Sequence, residues 1–115
     1  MIQTFMPHIR TEEELKAHQL KGLKWTIQHA YEGSPVYRAR LEEAGIHPED
    51  IRSLEDLGRL PFTMANDLKE GYPFPLLSVP FDRVVRMHAS SGTTGKRKVL
   101  CYTQKDIDDW THFFA

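Results

Sequence analysis

The chain has 115 residues with a formal net charge of -1, and is 40% hydrophobic and 27% charged; such a composition excludes collagen-like, mucin-like and wholly disordered chains. At about 150 residues per domain the length allows one domain at most, and the near-neutral balance excludes a globally basic nucleic-acid binder. No apolar run approaches the ~18 residues of a membrane span, the opening Met1–Pro7 lacks the parts of a signal peptide, and the one cysteine, Cys101, excludes an internal disulfide framework. The expectation is a cytoplasmic protein with no membrane or nucleic-acid partner.

In chain order, residues 1–10 read as an arm. Thr11-Glu12-Glu13-Glu14 is a capping box. It predicts a helix to about Glu32, with Leu20, Leu23, Ile27, Ala30 and Tyr31 on one apolar face. Gly33 is expected to stop it in the left-handed conformation, and Ser34-Pro35 to cap and open a second helix that ends at Gly45. Short helical turns are predicted at Pro48–Ile51 and at Ser53–Leu57, and Thr63 is expected to cap a further short helix closed by Gly71. Pro73, Pro75 and Pro80 mark an irregular crossing segment, because proline suits neither a helix interior nor a central strand.

The pattern changes at Arg83. Residues 83–89 and 98–102 read as strands around a loop, Ser90–Arg97. Thr103-Gln104-Lys105-Asp106 then opens a helix carrying Ile107, Trp110, Phe113 and Phe114. This predicts two regions, 1–82 helical and 83–115 strand–loop–strand–helix. Two strands are marginal alone; either they begin a larger sheet, or the last helix packs back on them and closes a small domain.

Residues 83–105 hold six of the 15 basic residues and no acid. In a near-neutral protein this points to an anionic ligand held at one place. Within the stretch, Ser90-Ser91-Gly92-Thr93-Thr94-Gly95-Lys96 combines hydroxyls, two glycines that free the backbone to turn its N–H groups inward, and one cation. Those are the donors that polyphosphate oxygens need. The spacing fits neither a Walker A loop nor a dinucleotide fingerprint; a plain hairpin turn is the competing reading, since Ser, Thr and Gly are ordinary turn residues. His18 and His29 share a helix face without a completing ligand set. His88, Trp25, Trp110 and Cys101 read as packing residues, with Cys101 as a small buried one.

The string at 90–96 resembles the phosphate-binding motif of the adenylate-forming acyl-CoA synthetase superfamily. Pro35-Val-Tyr-Arg38, Ala44-Gly-Ile-His-Pro-Glu-Asp-Ile-Arg-Ser-Leu-Glu-Asp-Leu57, Leu60-Pro-Phe-Thr63, Tyr72-Pro-Phe74 and Arg86-Met-His-Ala-Ser-Ser-Gly-Thr-Thr-Gly-Lys96 narrow the resemblance to the N-terminal region of phenylacetate–CoA ligases. The resemblance implies an α/β fold, α+β over these residues: N-terminal helices followed by the first strands of an incomplete large domain. It implies ATP-dependent activation of an aryl acetate to acyl-AMP, with Mg²⁺, and transfer to CoA. Ser90, Ser91, Gly92, Thr93, Thr94, Gly95 and Lys96 would hold the β- and γ-phosphates. No catalytic or metal residue is assigned, because the family's acid pocket, Mg²⁺-binding acid and lid lysine match nothing in this sequence. The chain alone is therefore expected to be inactive and to need a C-terminal ligase chain, or to form a homo-oligomer. The alternative is a free-standing nucleotide- or pyrophosphate-binding module without catalysis. Arg97 stands where the family usually has proline, Ala65 where it has lysine and Pro75 where it has glycine.

Overall fold

The structure, a computed structural model, describes residues 8–71, 73–90 and 97–114. Helix α1 spans Glu12–Gly33. Thr11 caps it by accepting the Glu14 N–H at 3.1 Å, and Glu14 reaches back to the Arg10 N–H at 2.7 Å. The apolar face predicted for α1 is the one that packs: Ile27 is buried, and Leu23 and Tyr31 lie against the same core.

Gly33 corrects the expectation of a left-handed stop. The helix runs through it, with the Ser34 N–H still bonded to the Ala30 carbonyl at 2.9 Å. The glycines with positive φ among the described residues are Gly45 and Gly71. A side chain at Gly33 would meet the backbone of Ser78, coming within 2.8 Å of its Cα and closer still to its carbonyl. The glycine therefore permits a close approach of two backbones; it does not supply a turn.

Helix α2, Pro35–Glu43, follows directly. Ser34 ends one helix and caps the next: its Oγ accepts the Tyr37 N–H at 3.2 Å and donates to the Pro75 carbonyl at 3.2 Å, in a site only 1% exposed. Ser34→Ala removes a cap and strands a buried carbonyl. The expected cost is about 2 kcal/mol, read as a lower urea midpoint with an unchanged slope.

Two 3₁₀ turns, Pro48–Asp50 and Leu54–Arg59, lead to helix α3, Ala65–Lys69. In the second turn the Asp56 carboxylate accepts the N–H groups of Arg52 and Ser53, which hold it below the usual carboxylate range. Helix α3 corrects the expectation for Thr63: the cap position is Met64, whose N–H donates to Asp67 at 2.6 Å. Asp67 is fixed from elsewhere, because Arg40 of α2 grips both of its oxygens. Gly71, with φ of 75°, follows α3 as expected.

The core consists of Ile27, Leu41, Ile46 and Ile51, with Leu23, Tyr31, Tyr37 and Leu60 around it. It lies wholly in the helical part. A 3₁₀ turn at Phe81–Arg83 leads to strand β1, Val84–Ala89, which pairs antiparallel with β2, Val99–Thr103. Met87 faces Cys101, His88 faces Leu100 and Ala89 faces Val99, with a register shift between Val84 and Arg86. Helix α4, Gln104–Phe114, is capped as predicted: Thr103 and Asp106 exchange bonds, N–H to carboxylate at 2.8 Å and N–H to hydroxyl at 3.3 Å. Of the two readings of this region, α4 does pack back on the hairpin, with the Trp110 ring 6.0 Å from His88 and 6.3 Å from Tyr102. It closes no core there, for none of the described residues of β1, β2 and α4 is buried. The α+β arrangement expected from the sequence is the one observed.

Candidate functional site

The candidate loop lies in the sequence between β1 and β2. After Ala89 the chain leaves the ladder at Ser90, whose N–H donates to the Lys98 carbonyl at 3.0 Å. The Lys98 N–H returns a bond to Ser90 Oγ at 3.3 Å. These two bonds pin both ends of the loop to one rung. Ser90 Oγ thus acts as an acceptor, its O–H donates to none of the described residues, and the residue is exposed. The remaining residues singled out, Ser91, Gly92, Thr93, Thr94, Gly95 and Lys96, lie outside the described residues.

The cationic stretch around the loop divides in two. Lys105 is paired with Asp109, one turn along α4. Arg83, Arg86, Arg97 and Lys98 make no ion pair with the described residues. Positive charge without an ion pair among the described residues therefore sits in the turn before β1, on β1 and at the loop exit, where it favours an anion. His88, two residues before Ser90, is packed against Tyr102 at 4.8 Å between ring centroids, and its Nε2 is buried without a hydrogen-bond partner among the described residues.

Below the hairpin lies a cleft of about 480 Å³ between α1, Leu68 of α3, the 74–79 segment and β2. Two sequence expectations are corrected here. Trp25 is no core residue: it is 63% exposed and stacks on His29 at 4.6 Å, at the wall of this cleft. The i, i+4 spacing on α1 was the available signal for that stack. Cys101 is only half-buried, and the burial it has raises its thiol pKa. A thiol held protonated is a poor nucleophile.

The sequence reading missed the Arg40–Asp67 clamp. Arg40 Nη1 donates to Asp67 at 2.9 Å and to the Phe62 carbonyl at 3.1 Å, so one guanidinium fixes α3 and the segment before it. The two residues are 27 positions apart, and no local pattern announces such a pair. Among the described residues no group of three or more His, Cys, Asp or Glu side chains could hold a metal ion, and no helix is long and apolar enough to cross a membrane.

No protein-family model matches the chain. Curated relatives do. It is 52% identical over 103 residues to the phenylacetate-coenzyme A ligase of Escherichia coli, covering 90% of this chain and 24% of that protein. It is 52% identical over 105 residues to the ligase of the same name from Aromatoleum evansii, covering 91% of this chain and 24% of that protein. The chain is thus similar to one part of these phenylacetate-coenzyme A ligases. It spans about a quarter of the length of the curated relatives it matches.

Among solved structures, the chain superposes on 2-hydroxyisobutyryl-CoA ligase in complex with 2-HIB-AMP and CoA, with a TM-score of 0.74 and 33% identity. The match covers 84% of this chain and 21% of that one. An open conformation of the same enzyme matches with a TM-score of 0.72 and 30% identity. The described helices and hairpin are thus a section of the adenylate-forming ligase fold.

Proposed function

We propose that the segment supplies the phosphate-holding loop of an ATP-dependent acid–CoA ligase whose acid substrate is an aryl acetate. The single observation that carries this reading is the identity of about 50% over nine-tenths of the chain to phenylacetate-coenzyme A ligases. In this reading residues 1–82 are a helical region and residues 83–115 begin the AMP-binding domain.

The chemistry assigned to the chain is charge stabilisation. When an acid carboxylate attacks the α-phosphorus of ATP, pyrophosphate leaves and negative charge gathers on its oxygens. Ser90 O–H, the hydroxyls of Ser91, Thr93 and Thr94, and the Lys96 ammonium would donate to those oxygens. Gly92 and Gly95 would let backbone N–H groups approach them. The donor set fits a polyphosphate: it contains hydroxyls and a cation and no carboxylate to repel the anion. Mg²⁺ would share the phosphate charge when bound, through residues outside this chain. CoA would be the second acyl acceptor, again held elsewhere. A C-terminal ligase chain or a homo-oligomer would complete the site, in the cytoplasm.

The test is a titration of ATP and of pyrophosphate into the purified chain, alongside a fusion that joins it to the remainder of the E. coli ligase. The fusion is expected to form AMP only with acid and CoA present. Lys96→Ala is expected to slow the fused enzyme at least ~10-fold, the loss of one charge-assisted contact to the leaving group. A fusion that folds and stays inactive would refute the ligase reading. Tight pyrophosphate binding by the chain alone, with that inactivity, would establish a binding module instead.

A further inference from the structure

We infer that Ser90 is a positioning residue for the loop that follows it: its hydroxyl oxygen, in place of its main-chain carbonyl, closes the last rung of the hairpin at Lys98 and fixes how the chain departs from the ladder. The inference rests on the reading of Ser90–Lys96 as a phosphate-holding loop and states how that loop is held before any ligand arrives.

Ala89 faces Val99 as the last pair of the two strands, so Ser90 faces Lys98 one step beyond them. In an antiparallel ladder a bonded pair exchanges two main-chain bonds, each N–H going to the other's carbonyl. The Ser90 N–H keeps to this pattern and reaches the Lys98 carbonyl at 3.0 Å. The return bond departs from it. The Lys98 N–H donates to Ser90 Oγ at 3.3 Å, and the Ser90 carbonyl takes no bond from it. Serine and threonine oxygens compete with secondary structure for backbone donors in this way at turns and helix caps.

The substitution of one acceptor for another keeps the rung closed, because the Lys98 N–H is still satisfied. It also leaves the Ser90 carbonyl without a hold on Lys98, so the peptide plane leading out of Ser90 does not carry the orientation that a strand imposes. A loop that turns its N–H groups toward an anion needs that release at its first peptide. The ladder beneath the rung is fixed independently. His88 and Leu100 are the next bonded pair in the alternation, and the His88 ring packs on Tyr102 at 4.8 Å and on Trp110 at 6.0 Å. Loss of the Ser90 oxygen therefore loosens the rung and leaves the strands below it in place.

The test uses the intact chain without nucleotide. Amide hydrogen exchange followed by NMR should show the Lys98 N–H protected. Ser90→Ala should speed its exchange roughly 3- to 10-fold, the worth of one neutral hydrogen bond, with the Leu100 N–H unchanged. Ser90→Thr should restore the protection, and Ser90→Val, of the same shape without the oxygen, should not. Pyrophosphate titrated into the same four proteins should follow the same order, at least ~3-fold weaker for the alanine and valine variants, which must order the loop on binding. Unchanged protection of Lys98 in Ser90→Ala, with the carbonyl taking over the bond, would overturn the inference. So would equal pyrophosphate affinity in all four proteins, or binding by none of them, because a loop set ahead of its ligand binds without the rest of an enzyme. The fusion to the remainder of the E. coli ligase separates the two readings. If the fusion is inactive while exchange and titration follow the Ser90 oxygen, the ligase reading falls and the positioning role stands. If the fusion is active while Lys98 exchange ignores the Ser90 side chain, the positioning role falls alone.

Discussion

Gly33→Ala should lower the stability of the chain by about 2 kcal/mol, the opposite of what helix propensity alone predicts. In an exposed helix interior, replacing glycine by alanine gains up to about 1 kcal/mol. At Gly33 the new Cβ meets the Ser78 backbone, which cannot rotate away as a flexible side chain would. Relief requires moving α1 or the 74–79 segment, and overpacking of that kind costs about 1–3 kcal/mol. Gly22 is the internal control. It lies in the same helix with nothing within 4 Å of an added Cβ. Gly22→Ala should therefore stabilise by a few tenths to about 1 kcal/mol. Thermal unfolding of the two variants reads the contrast directly, with Gly33→Ala lower by roughly 10 °C for a chain of this size. Equal shifts in both would show that the contact with Ser78 carries no weight. The consequence reaches the candidate site, because Leu76, Leu77, Ser78 and Val79 line the cleft beneath β2.

Arg40→Met should cost about 2 kcal/mol. Asp67 is 8% exposed, and its carboxylate would keep only the Met64 N–H as a strong partner. Breaking a fully buried pair costs about 3–5 kcal/mol; the Arg40 side chain is 31% exposed, which brings the figure down. The Phe62 carbonyl also loses its donor. A double-mutant cycle with Asp67→Leu isolates the pair: the double variant should be clearly more stable than the two single losses add up to, because it leaves no stranded charge. Strict additivity would remove the pair from the account of stability. The clamp positions Leu68 of α3, which faces β2 across the cleft. Loss of the clamp is therefore expected to loosen the support under the hairpin that carries Ser90.

Much of the molecule was legible from local pattern. The Thr11 and Ser34 caps, the apolar stripe of α1, the strands before and after the loop, and the Thr103–Asp106 box each depend on residues within a few positions of one another, and each formed as expected. The expectations that failed turned on distant neighbours. Gly33 was read as a turn because helix ends favour glycine, whereas Ser78, 45 residues away, is what excludes a side chain there. Thr63 was read as the cap of a short helix through Lys69, whereas the long-range grip of Arg40 on Asp67 accompanies a start one residue later. Trp25 was read as a packing residue, whereas it stacks on His29 and is exposed.

The sequence by itself determined the order of elements, the position of Ser90–Lys96 between two strands, and the family resemblance, because capping, periodicity and motif spacing are written in adjacent residues. Tertiary structure alone decided how α4 lies on the hairpin, which cations pair among the described residues, and why Gly33 and Asp67 stand where they do. Those properties are set by backbones and charges that meet only after the chain has folded over distances of tens of residues.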